Sequence, residues 1–300
     1  LAAAHARDMQ VIIELPLNHT SDQHPWFQRA RKSPAGSAER NFYVWSDTDQ
    51  ALPRSAGGGV AVRTERVNWT WDEEAQAYYW HRFFHHQPDL NYQNPEVLRE
   101  ILSVIDFWLE IGVDGFRLDA LPYLVERDGA PSENLPETHV VLKAIRRHID
   151  DRHAHRVLLA GTTEGPREAR TYFGDSDGAH LVPLVPLLPR ALLAIQLEDG
   201  QPIIETLDRT PPVPHTCQWA VFLRGHDELP LDIWSDDEDE NLRRVSAAQM
   251  SGRQQIGTRR PPASACVPRC DRPGRRCRPC RSRRRSRAPA CPAARTAGCS

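Results

Sequence analysis

The stretch VLREILSVIDFWLEIGVDGFRLDA, residues 97–120, decides the fold. Its first part carries apolar side chains at Val97, Ile101, Val104, Ile105, Trp108 and Leu109, spacings that put them on one face of a helix. Gly112 stands where that helix should stop, because glycine takes the left-handed cap conformation without steric cost. The run that follows, 113–118, is short and apolar and reads as a buried strand. A helix feeding a buried strand through one glycine is the repeating step of a parallel α/β sheet.

The step recurs along the chain. Residues 1–9 are Ala-rich with helical spacing, and 11–17 form an apolar run ending at Asn18-His19. Residues 137–151 read as another helix, 156–160 as the strand after it, and 219–223 as a fourth strand. Such alternation predicts a parallel sheet, doubly wound or closed into a (β/α)8 barrel. Between the first two strands, residues 20–94 are too long for a plain connection and predict an inserted subdomain. Its aromatic residues suit either sugar subsites or a small core, and a core accounts for most of them.

Charge is distributed unevenly. From Arg253 onward there are fourteen Arg and one acidic residue, Asp271, which leaves the preceding chain strongly acidic. The last forty residues, 261–300, contain almost only Arg, Pro, Ala, Cys, Ser and Gly, so no core can form there and disorder is expected. They lack the aromatic residues that stack on bases, which argues against nucleic acid as a partner despite the Arg content. The spacing of Cys266, Cys270, Cys277 and Cys280 is short for a zinc module and has no apolar residues to pack beneath a metal. Only Cys217 lies before the tail, which reads as a reducing, cytoplasmic setting. The most apolar stretch, 181–197, is interrupted by three prolines and Arg190, so no membrane span is expected.

Parallel α/β proteins place their chemistry at the carboxyl ends of the strands. Those positions hold Asn18-His19, Arg117 with Asp119, Gly161, and His226-Asp227. Polar groups converging from four strands form a site more persuasively than any one pair. The motif Asp114-Gly115-Phe116-Arg117-Leu118-Asp119-Ala120, together with Gln87-Pro88-Asp89-Leu90-Asn91 and Gly225-His226-Asp227-Glu228, resembles the α-amylase superfamily, glycoside hydrolase family 13. Longer runs narrow this. NHTSDQHPWF (18–27), NFYVWSDTD (41–49), YWHRFFHHQPDLN (79–91), ENLPETH (133–139) and LRGHDEL (223–229) are similar to the trehalose synthases of that superfamily.

The resemblance implies an α/β fold, a partial (β/α)8 TIM barrel over 1–260 with a subdomain inserted after strand three at about 20–94, followed by the disordered basic tail 261–300. It implies retaining α-glucosyl transfer within maltose to give trehalose, with side hydrolysis to glucose. Asp119 would be the nucleophile, held ionised by Arg117. Asp227 would grip sugar hydroxyls and stabilise the oxocarbenium-like transition state, while His19 and His226 donate hydrogen bonds to the same ring. Asn18, Asp89, Tyr123, Leu124 and Glu126 match the family's calcium ligands, the Tyr and Leu through backbone carbonyls, an all-oxygen set that suits Ca2+.

The departures from the family are specific. The family's general-acid Glu is replaced by Gly161, which cannot protonate a leaving oxygen, and Glu164 falls three residues further on, where the family has Gln. Glu14 stands where Asp is usual and Gly225 where Asn is usual. The match begins at the family's third barrel strand and stops near Arg260, before the eighth strand and the C-terminal β domain. That implies a truncated chain whose tail has been read out of frame. An inactive remnant that retains at most sugar binding therefore stands beside the enzyme as an expectation.

Overall fold

The computed structural model describes residues 1–49, 68–127 and 133–222. In chain order the elements are α1 (Ala2–His5), β1 (Ile12–Pro16), α2 (Pro25–Ala30), β2 (Trp45–Ser46), β3 (Trp69–Asp72), β4 (Ala77–Trp80), α3 (Pro95–Ile111), β5 (Gly115–Asp119), α4 (Pro136–Arg152), β6 (Val157–Ala160), α5 (Pro166–Ala169), β7 (Leu181–Pro183), α6 (Leu187–Leu197), α7 (Gln201–Arg209) and β8 (Gln218–Ala220). Short 3-10 turns lie at Arg40–Phe42, Leu121–Tyr123 and Arg170–Phe173.

Five strands form one sheet in the order β1-β5-β6-β7-β8, and every pairing is parallel. Helical segments separate β5, β6, β7 and β8 in the chain, as parallel neighbours require. Within residues 20–94 a second sheet forms, three-stranded and antiparallel in the order β2-β4-β3. The anticipated strand at 219–223 appears as β8, with Leu223 outside the described residues.

Helix α3 forms as its spacing predicts. Pro95 occupies the first turn, where its missing N–H costs nothing, and the Asn94 side chain accepts from the Glu96 amide. Gly112 closes it at φ 107°, donating to the carbonyls of Leu109 and Trp108. The helix buries Val97, Ile101, Ile105 and Leu109, each worth about 1.5–3 kcal/mol against exposure. Trp108, expected on the same face, is instead 36% exposed, because the buried stripe runs through positions 97, 101, 105 and 109. Strand β7 and helix α6 were not legible, since prolines at 183, 186 and 189 obscure the period. Pro189 sits in the first turn of α6, where it is tolerated.

Three hydrogen bonds and a β-bridge carry the inserted segment onto the chain leaving β1. Leu90 donates to the Asn18 carbonyl at 2.8 Å and Thr20 to that of Pro88 at 3.2 Å, with a bridge pairing His19 and Asp89. The Tyr92 hydroxyl donates to the Leu17 carbonyl at 2.8 Å. These contacts fasten residues 88–92 to the chain that leaves β1.

Candidate active site at the carboxyl end of the sheet

The parallel register fixes which side chains meet. Glu14 lies level with Arg117, Pro16 with Asp119, and Leu118 with Ala160. Residues two apart share a strand face, so Arg117 and Asp119 project together. Nη1 of Arg117 lies 3.0 Å from Asp119 Oδ1 and 2.5 Å from Glu14 Oε1. The same nitrogen makes no well-directed hydrogen bond. The three groups therefore interact as close charges, not as a bidentate clamp, and Glu14 competes with Asp119 for one cation. Ala120, next in the chain, is held at φ 54°, a region that costs a non-glycine residue about 1–2 kcal/mol.

His19 stands at the end of β1 with its ring edge-on to Phe83, centroids 5.3 Å apart. Burial lowers its pKa, and the neighbouring Asp119 charge opposes that while His86 adds to it. Burial thus favours the neutral imidazole, and its buried Nδ1 has no hydrogen-bond partner. Phe83 continues to Tyr123 at 5.8 Å, and the Arg82 guanidinium lies 4.3 Å over that ring while paired with Glu133.

Gly161 is placed where the sequence put it, just past β6. Its amide donates to the Leu118 carbonyl at 2.8 Å. A Cβ there would lie 2.5 Å from that carbonyl oxygen and 3.0 Å from Cα of Asp119. Besides lacking a carboxyl, this position has no room for a side chain unless backbone moves. Glu164 lies in the loop beyond, accepting from Asn134 Nδ2 at 3.2 Å. Burial, with Glu168 and Glu133 adding negative charge, pushes its carboxyl up to about 7.

The ENLPETH run proves to be a hub. Asn134, at φ 50°, donates its amide to the Pro122 carbonyl at 2.7 Å. Its Oδ1 accepts from the Tyr172 hydroxyl at 2.8 Å and lies 3.0 Å from His139 Nε2. One side chain so ties the loops after β5 and β6 together. The sequence singled out this run, but two of the side-chain partners of Asn134 are 30 and 38 residues away, and no local signal points to them.

Asn18, Asp89 and Glu126 are brought together and are 1%, 0% and 7% exposed. Asp89 Oδ1 accepts from the Arg82 amide at 3.1 Å, whereas Asp89 Oδ2 and both polar atoms of Asn18 have no hydrogen-bond partner. Burial pushes Asp89 up to about 7, and burial with the adjacent Asp89 pushes Glu126 well above its ordinary range. One amide oxygen and one carboxyl oxygen buried and unpaired, beside a second carboxyl that cannot ionise together with the first, fit a site for a hard cation. Among the described residues no cluster of three or more His, Cys, Asp or Glu could hold a metal, so an ion here would depend on amide and carbonyl oxygens. Leu124 is fully buried, with Tyr123 next to it in the chain. His226 and Asp227 lie outside the described residues. No described helix is long and apolar enough to cross a membrane.

A parallel α/β sheet with a charged Arg–Asp strand end and an antiparallel insertion defines a class, and comparison with known proteins specifies it. The alpha amylase catalytic-domain family matches residues 1–182, and the chain belongs to that family of glycoside hydrolases and transferases. Its five parallel strands are part of the (β/α)8 barrel of that fold. The chain is 48% identical over 264 residues to the trehalose synthase/amylase TreS of Mycolicibacterium smegmatis, covering 87% of this chain and 44% of that one. It is 46% identical to the trehalose synthase of Pimelobacter sp., covering 87% and 46%. Among solved structures, the α-glucosyl transfer enzyme XgtA superposes with a TM-score of 0.57 at 26% identity, covering 74% of this chain and 45% of that one. The chain spans less than half the length of these relatives.

Proposed function

We propose that the sheet's carboxyl end performs retaining α-glucosyl transfer with Asp119 as nucleophile, converting maltose to trehalose with some hydrolysis to glucose. The observation that carries this reading is the Arg117–Asp119 pair at the end of β5, in a chain 48% identical to a trehalose synthase. Asp119 attacks the anomeric carbon as the glycosidic bond breaks, forming a β-glucosyl ester, and the departing glucose oxygen takes a proton from water, no carboxyl standing at Gly161. The retained glucose then attacks through its anomeric hydroxyl, which gives its proton to water as the ester bond to Asp119 breaks, leaving an α,α-1,1 bond. Arg117 offsets the negative charge of Asp119, and His19 hydrogen-bonds the bound ring. His226 and Asp227 belong to the same reading by resemblance, the carboxylate supporting the oxocarbenium-like transition state.

Calcium is part of the proposal. Asn18, Asp89 and Glu126, with the carbonyls of Tyr123 and Leu124, would hold it, and its charge would let both buried carboxyls ionise. Those residues themselves join the end of β1 to the inserted segment and to the turn after β5.

A second reading is favoured by Gly161. Without a carboxyl there, the chain would bind sugar without turning over an unactivated glycoside, since general acid catalysis contributes about 10²–10⁴-fold. α-Glucosyl fluoride separates the two, because fluoride leaves without protonation. We expect fluoride release from the full chain, abolished in Asp119→Asn, and maltose conversion slower by about 10²–10⁴-fold than in an enzyme retaining the acid. Fluoride release unchanged by Asp119→Asn would overturn the assignment of the nucleophile. Maltose binding with no fluoride release would establish the non-catalytic reading.

A further inference from the structure

Glu164 follows the empty acid position by three residues, on a loop that starts beside the nucleophile. The Gly161 amide is bonded to the Leu118 carbonyl, and a Cβ on Gly161 would lie 3.0 Å from the Asp119 Cα. Three residues span at most about 11 Å when extended. The Glu164 amide donates back to Thr162 Oγ1 at 3.3 Å, a turn that shortens this span.

Asn134 decides which Glu164 oxygen can carry a proton. Its Oδ1 accepts from the Tyr172 hydroxyl and faces His139 Nε2, which turns its amide nitrogen toward Glu164. That nitrogen donates to Glu164 Oε2, so Oε2 is an acceptor and the acidic proton belongs on Oε1. Among the described residues Oε1 has no hydrogen-bond partner, and it is not one of the buried polar atoms, so water reaches it. The charges facing this carboxyl are negative, Glu168 on α5 and Glu133 ahead of α4. Arg82 is taken up by Glu133, and burial with the Lys143 charge favours neutral His139. Tyr123 and Tyr172 feel the Glu164 charge and are themselves held protonated by burial. Burial and the two carboxylates push Glu164 up to about 7, where its donor and acceptor forms coexist.

We propose, resting on the glucosyl-transfer reading, that Glu164 supplies and recovers the proton of the reaction through one water, in place of the carboxyl missing at Gly161, with Asn134 as its positioning residue. As the glycosidic bond breaks and C1 bonds to Asp119, the water protonates the departing oxygen and takes the proton from Oε1. In the second half the Glu164 carboxylate regains, through a water, the proton of the incoming anomeric hydroxyl as the ester breaks.

The test compares the full chain with Glu164→Gln, which keeps the shape and an oxygen for Asn134 but holds no acidic proton. Its kcat on maltose should fall about tenfold with KM little changed, less than the roughly 10²–10⁴-fold of a directly placed acid. Its first turnover of α-glucosyl fluoride, which needs no proton, should persist. Azide attacks the glucosyl ester without a base, so it should speed later turnovers of this variant and yield α-glucosyl azide. In the unaltered chain, maltose conversion should decline as pH rises through about 7, while the first turnover of the fluoride does not. Equal maltose conversion by both chains, no decline through that pH, or azide without effect would each overturn the proposal. So would fluoride release by a chain that leaves maltose untouched, an outcome that spares Asp119 as nucleophile. Fluoride release that is absent, or unchanged by Asp119→Asn, would remove the glucosyl-transfer reading and this inference with it. Should Glu164→Gln fail to fold, the pH profile of the unaltered chain decides.

Discussion

At the scale of single residues, Gly161 and Glu164 give the clearest expectations. Gly161 closes against β5, so even Gly161→Ala must push a Cβ into the Leu118 carbonyl. We expect a loss of about 1–3 kcal/mol in urea unfolding, as for other over-packed sites. An unchanged midpoint would mean that β5 yields to the added methyl at no cost. Restoring the acid by Gly161→Glu meets the same obstruction, so activity and stability should be measured together. The proton on Glu164 is held more tightly in the folded chain than in the unfolded one, since its pKa rises from 4.5 to about 7. That contribution to stability is complete below about pH 4.5 and is lost as pH climbs through about 7. Glu164→Gln cannot ionise, so it should match the parent at pH 4.5 and exceed it in stability at pH 8. Equal melting curves at both pH values would show that Glu164 titrates normally.

At the scale of elements, α3 followed by β5 is the unit on which the site is built. Gly112 ends the helix at φ 107°, and a Cβ there would meet nothing within 4 Å. The cost of Gly112→Ala is therefore conformational and should be about 1–2 kcal/mol, measured as a shift of the urea midpoint. A neutral result would mean that the helix can end without a left-handed residue. This element was readable because its cause is local. Apolar positions at helical spacing, Asn94 as cap acceptor and Gly112 as terminator all act within a few residues of one another. Strand β7 and helix α6 were not readable, because prolines interrupt the pattern and their stability comes from packing on the sheet.

At the scale of the whole molecule, the cation proposal is the sharpest test. Calcium at 100 times its dissociation constant should stabilise the chain by about 2.7 kcal/mol, seen as a rising melting temperature. The rise should be lost in Asp89→Asn. A melting curve indifferent to millimolar calcium would remove the ion from the account and leave the buried carboxyls protonated. By itself, the sequence determined the alternation of helix and buried strand, the inserted segment and the identities of Arg117, Asp119 and Gly161, because periodicity and strand-end position are properties of neighbouring residues. Only the tertiary structure decided that Glu14 shares Arg117 with Asp119, that Gly161 leaves no space for a side chain, and that Asn134 joins two loops. It also brought Asn18, Asp89 and Glu126 into one buried group. These groups lie tens of residues apart in the chain. Their charges and free space are set by what the fold packs around them, which no spacing along the sequence encodes.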